Sequence, residues 1–149
     1  MTELNELISC IEGDTFREKC QSVCGCLRDV DARYDWVGIY WVKGNELILG
    51  PWSGRQATEH TKIPINDGIC GAAVREGQTI IVDDVQKDPR YLACFFETRS
   101  EIVVPIRKGK KIIGEIDIDG KDVGAFNDED RKLLEGLAEY ISSEWPGRW

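Results

Sequence analysis

The chain has 149 residues, 19 of them Lys or Arg and 27 Asp or Glu, a formal net charge of −8, and 42% of it is hydrophobic. The acidic balance excludes a general binder of nucleic-acid backbone or of an anionic membrane, both of which need clustered cations, and the hydrophobic share excludes a disordered chain. No apolar run approaches the ~20 residues of a membrane helix, and the opening segment carries Glu3 and Glu6 where an export signal has cations, so a soluble, cytoplasmic protein is expected.

No linker, repeat or low-complexity tract divides the sequence, and residues 1–149 read as one domain. A short helix is expected over residues 3–11, stopped at Gly13. Thr15-Phe16-Arg17-Glu18 has the form of a capping box, in which the hydroxyl caps the first turn and the glutamate reaches back. Behind it Phe16, Cys20, Val23, Cys24, Leu27 and Val30 recur at helical spacing and predict an amphipathic helix of about four turns. Residues 35–42 are apolar on both faces and rich in aromatic and β-branched side chains, as in a central strand covered on two sides. Gly44-Asn45 reads as a turn, 46–49 as the returning strand, and 50–62 as a loop. A helix follows over 68–76 and a strand over 79–82, and 86–99 is polar and irregular around Pro89. The clearest strands are 102–106 and 111–119, joined by a tight Lys108-Gly109-Lys110 turn. The last helix is capped by Asn127, carries Leu133, Leu134, Leu137 and Ile141 on one stripe, and ends before Pro146. Tight hairpins mean antiparallel pairing. The expected fold class is therefore α+β: a single antiparallel sheet with N- and C-terminal helices packed on one face and loops covering a ligand pocket on the other.

Six cysteines are the first chemical feature. In a reducing compartment they read as thiols. Cys20, Cys24 and Cys26 lack the fourth ligand of a structural zinc site, and Cys10, Cys20 and Cys24 read as small hydrophobes. Nothing in the sequence calls for a metal or a cofactor. Cys70, in Gly68-Ile69-Cys70-Gly71, falls at a helix start, where backbone N–H groups favour a thiolate. Cys94 lies in the long irregular segment, a frequent place for function. In 112–119 strict alternation turns Ile112, Ile116 and Ile118 one way and Glu115, Asp117 and Asp119 the other. Aspartate is depleted in strands, so two of them at alternate positions suit a covered face better than a merely wet one. A three-residue turn at 108–110 would set Glu101 opposite Asp117 on that face, whereas a two-residue turn would send it to the other. His60 stands alone in an irregular loop, and Trp36 and Tyr40 share a strand face.

These residues carry a resemblance. Trp36-Val37-Gly38-Ile39-Tyr40, Trp52 with Gly54, Ile63-Pro64 with Gly68-Ile69-Cys70-Gly71, Ala93-Cys94, Ser100-Glu101-Ile102-Val103-Val104-Pro105, Asp117-Ile118-Asp119 and Phe126-Asn127-Asp128-Glu129-Asp130 occur in the order and near-spacing of the free methionine-(R)-sulfoxide reductases, single-domain enzymes of the GAF fold. The aspartate pair and the last helix start are common to many GAF domains. The Cys70, Cys94 and Glu101 motifs in combination are much more specific. The resemblance implies that Cys94 attacks the sulfoxide sulfur and becomes a sulfenic acid. It implies that Glu101, Asp117 and Asp119 bind the substrate and help protonate the leaving oxygen, and that Trp36 and Tyr40 receive its methyl group. Another family cysteine matches Cys70, a candidate resolving thiol. The third, which normally forms the disulfide that thioredoxin reduces, is replaced here by His60, a candidate modulator of the thiolate. The implied partners are free methionine (R)-sulfoxide and thioredoxin or a small thiol as reductant, with a homodimer through the last helix a further expectation.

Two rival functions remain at the level of the sequence. One is a non-catalytic GAF sensor of a small ligand, which 149 residues leave without an output domain. The other is a partner-binding GAF protein with inert cysteines. Fold-level analogy alone does not choose among them.

Overall fold

The computed structural model describes residues 3–93, 95 and 97–149. The chain order is α1 (Leu4–Cys10), α2 (Phe16–Val30), β1 (Trp36–Lys43), β2 (Glu46–Ser53), β3 (Lys62–Pro64), α3 (Gly68–Glu76), β4 (Ile80–Val82), a 3-10 turn (Val85–Lys87), β5 (Ser100–Lys108), β6 (Lys111–Gly120) and α4 (Asp128–Ser143). The strands form one antiparallel sheet in the order β3-β2-β1-β6-β5-β4. No described helix is long and apolar enough to cross a membrane.

The two capping boxes start α2 and α4. Thr15 Oγ1 accepts from the Glu18 amide at 3.1 Å, and Asn127 Oδ1 accepts from the Asp130 amide at 3.2 Å. Helices α1, α2 and α4 cover one sheet face, where Leu7, Val23, Leu27, Ile39, Ile116 and Leu134 form the larger core. A smaller cluster of Tyr40, Leu47, Ile69, Ala73 and Val103 lies on the other face beneath α3. The terminal helices therefore hold one face, as expected from the sequence, and the other face is covered by α3 as well as by loops.

Four details depart from the sequence reading. Strand β2 runs on to Ser53 and the short edge strand β3 follows at Lys62, so the expected loop over 50–62 is strand at both ends. The β5–β6 hairpin closes with Lys108 opposite Lys111, a two-residue loop in which Gly109 supplies φ +62°. A bulge then skips Ile113 and restores the face, setting Glu101 opposite Asp119 rather than Asp117. The extra residue Ile113 joins Ile116 and Ile118 in the helix-side core, while Ile112 is only half-buried. Lastly, Cys10 and Cys26 are not thiols but a disulfide with Cα atoms 6.2 Å apart, tying α1 to α2. Cys20 and Cys24 are free and buried, as expected of small hydrophobes, and burial pushes the Cys20 thiol up to about 12.

Candidate functional site

The face opposite the terminal helices carries a row of acids. On β6, Glu115, Asp117 and Asp119 pair across to Tyr40, Gly38 and Trp36 of β1, and Asp119 pairs to Glu101 of β5 on the other side. Strand alternation puts all of them on one surface. Glu115 is fully buried, Asp117 is 1% exposed, Asp119 2% and Glu101 4%. Asp117 Oδ1 has no hydrogen-bond partner among the described residues, while Glu115 lies beside the Cys70 thiol and Asp119 beside Glu101 and Thr98. Buried carboxylates without partners are costly as anions. Burial accordingly raises all three acids of β6, and the Asp117 carboxylate adds to the rise at both Glu115 and Asp119.

An aromatic wall rises beside this floor. The Trp36 indole is 3% exposed and lies against Gly38 and Gly54, where an added Cβ would clash with the ring. Phe95 packs on it at 5.6 Å between centroids and Trp52 stacks at 6.3 Å. Its Nε1 donates to the Gln56 carbonyl at 3.2 Å, and the Tyr40 hydroxyl donates to the His60 carbonyl at 2.7 Å. The two aromatic side chains thereby hold the segment 54–61 over the site. His60 in turn reaches the other covering segment, with Nε2 at 2.8 Å from the Ala93 carbonyl. Arg55 closes the rim, bonded to Glu97 at 2.6 Å and to Asp35 at 3.3 Å beside a cavity of ≈200 Å³.

A thiol completes the described part of the site. Cys70, in the first turn of α3, is 5% exposed. Its Sγ, a Glu101 oxygen and an Asp117 oxygen all lie within 4.8 Å of one another, with Glu115 alongside. The helix start does not make it a thiolate. Burial, then Asp117, Glu115 and Glu101, raise it well above the ordinary thiol value, which corrects the expectation drawn from the helix terminus. The arrangement offers a soft sulfur, acids whose proton affinity is raised by burial, and latent negative charge that a cation can call out.

Of the residues singled out in the sequence, Trp36, Tyr40, Cys70, Glu101, Asp117 and Asp119 meet on this face, and His60 touches its cover. Cys94 lies outside the described residues, while its neighbours Ala93 and Phe95 contact His60 and Trp36. Sequence reasoning left out Glu115, although alternation had already turned it to the same face as Asp117. It also missed the two glycines beneath Trp36 and the Arg55 bridge, which depend on contacts between segments far apart in the chain.

The GAF domain family model matches residues 13–143. The free methionine-R-sulfoxide reductase of Saccharomyces cerevisiae is 43% identical over 112 residues, covering 72% of this chain and 61% of that enzyme. Among solved structures, the type II free methionine-R-sulfoxide reductase of Thermoplasma acidophilum is 39% identical with a TM-score of 0.84, covering 87% of this chain and 91% of that one. The free methionine-R-sulfoxide reductase of Neisseria meningitidis, solved with its substrate, is 31% identical with a TM-score of 0.87, covering 95% and 84%.

Proposed function

The chain belongs to the GAF domain family and groups there with the free methionine-R-sulfoxide reductases, and from that membership we propose that it reduces free methionine (R)-sulfoxide to methionine. The observation that carries the reading is the buried acid row of Glu101, Asp117 and Asp119 under Trp36 and Tyr40.

In this reading the Cys94 thiolate attacks the sulfoxide sulfur. A protonated carboxyl of the Asp117–Asp119–Glu101 set gives its proton to the sulfoxide oxygen as the S–O bond breaks. The transient bond between the two sulfurs opens as the protonated oxygen passes to Cys94, which becomes a sulfenic acid, and methionine leaves two electrons richer. The raised proton affinities of Asp117 and Asp119 support the acid role, because an ionised aspartate has no proton to give. Once ionised, the same carboxylates suit the ammonium of a free amino acid. The closed cover over 54–61 and the Arg55–Glu97 bridge suit a small substrate better than a peptide chain. A thiol then attacks the sulfenic acid, releasing water and leaving a disulfide. Cys70, beside the acids, is the internal candidate, and thioredoxin or a small dithiol is the external one. His60, hydrogen-bonded to the Ala93 carbonyl, is the candidate modulator of the Cys94 thiolate.

A coupled assay with resolved epimers tests the reading. Free methionine (R)-sulfoxide should be reduced, and the (S) epimer and N-acetylated methionine sulfoxide should not. Equal turnover of the N-acetylated compound would remove the ammonium from the account of binding.

A further inference from the structure

We propose that the acid pocket is also a site for a thiophilic divalent cation, zinc(II) in the first place, held by the Cys70 sulfur and by carboxylate oxygens of Glu101 and Asp117. These three groups come from α3, β5 and β6, and one ligand atom of each lies within 4.8 Å of the others, all of them buried. The fold, not a local acidic run, brings them together. Glu115 supplies the second observation. It is fully buried, and apart from the neighbouring Cys70 thiol neither of its oxygens has a hydrogen-bond partner among the described residues. Asp117 Oδ1 is in the same condition. Glu115, Asp117 and Asp119 form no ion pair with any described Lys or Arg. A cation that displaced the protons of these acids would supply the counter-charge that no described Lys or Arg gives.

The donor set decides which cation. Magnesium and calcium prefer oxygen-only shells, whereas a thiolate among carboxylates selects a borderline-soft ion of low coordination number. Zinc takes sulfur and carboxylate oxygen in four-coordinate sites. On binding, the Cys70 S–H bond is exchanged for a metal–sulfur bond and the proton leaves to solvent. Water or Glu115 can fill the fourth position. An occupied site removes Glu101 and Asp117 from the amino acid's ammonium and Cys70 from thiol chemistry. Zinc therefore acts as an inhibitor competitive with the sulfoxide; that consequence rests on the reductase reading, while the binding itself does not.

Cobalt(II) makes the site visible. The full chain, with its Cys10–Cys26 disulfide intact, is titrated with cobalt(II) under inert gas. The expected result is one equivalent bound, with a thiolate-to-metal charge-transfer band and the intense visible bands of a four-coordinate ion, both abolished by one equivalent of zinc(II). Cys70→Ser should lose the charge-transfer band, and Asp117→Asn should bind at least tenfold more weakly. Cys20→Ser, on the helix side of the sheet, should keep both. Circular dichroism checks the fold of each variant, and zinc should raise the Tm of the wild type but not of Cys70→Ser. Absence of saturable binding by the wild type, or a charge-transfer band that survives in Cys70→Ser, overturns the site. Zinc that binds without inhibiting sulfoxide reduction overturns the competitive role, and metal-free protein that binds cobalt but reduces no sulfoxide overturns the reductase reading instead.

Discussion

Asp117 and Asp119 are acids whose chemistry follows from where a strand puts them. Converting either to asparagine removes a proton donor and a latent charge with almost no change in shape, and turnover should fall by roughly 10²-fold. The stability consequence has the opposite sign. Their folded-state proton affinities are raised, so the folded chain holds protons that the unfolded chain has released. Stability is then fully present below the unfolded carboxylate value and is lost as pH rises toward the folded one. Glu115→Gln should flatten that decline and raise the Tm at pH 8, by about 2–4 °C for each kcal/mol relieved. Thermal melts of wild type and variant across pH 4–8 check it; a lower Tm at pH 8 would contradict it. Beneath Trp36, Gly54→Ala forces the indole to move and should raise KM more than it lowers kcat. Much of this row was legible. Alternation placed Asp117 and Asp119 correctly, and Glu101 reached the right face through a bulge that no residue pattern announced. Cys70 was misjudged because a helix terminus is worth ~0.3–1 kcal/mol, whereas full burial shifts a titrating group by up to 3–5 pKa units.

At the level of elements, helix boundaries were the most readable feature, since capping residues are local signals. Strand β3 was not, because three residues at a sheet edge carry no period, and the second half of β2 contains Gly50 and Pro51, which ordinarily mark turns. The Cys10–Cys26 bridge was missed because its partners are 16 residues apart and meet only when α1 folds back on α2. A loop of that length gives a stabilisation of about 3 kcal/mol. Cys10→Ser should lose most of it and leave sulfoxide reduction intact, since the bridge is on the far side of the sheet from the acids. Denaturant melts beside turnover assays separate the two effects. The start of α4 is tied down by Asp130, which caps the helix and accepts from Arg33 at 2.7 Å and from the buried Tyr34 hydroxyl at 2.5 Å. Asp130→Ala should cost about 2–3 kcal/mol, less than a fully buried pair because Arg33 is more than a third exposed.

For the molecule as a whole, the proposed cycle closes when the oxidised cysteine is returned to its thiol. By the sequence resemblance His60 replaces the resolving cysteine, and in the structure it bonds to the Ala93 carbonyl, in the segment leading into Cys94. Cys70 is buried among acids that disfavour its thiolate, which makes it a slow internal nucleophile. Turnover should therefore be poor with thioredoxin and better with a small dithiol, and His60→Cys should improve the thioredoxin-driven rate. Rapid thioredoxin turnover in Cys70→Ser would exclude Cys70 as an obligatory resolving thiol.

The central claim is that Cys94 takes the oxygen of free methionine (R)-sulfoxide. Single turnover without any reductant tests it most directly: one equivalent of the (R) epimer is added to reduced protein, methionine is quantified, and the cysteines are mapped by mass spectrometry. The expected result is one methionine per chain with oxidation at Cys94, as a sulfenic acid or a Cys70–Cys94 disulfide, and neither product from Cys94→Ser. Methionine formed at an undiminished rate by Cys94→Ser would contradict the account.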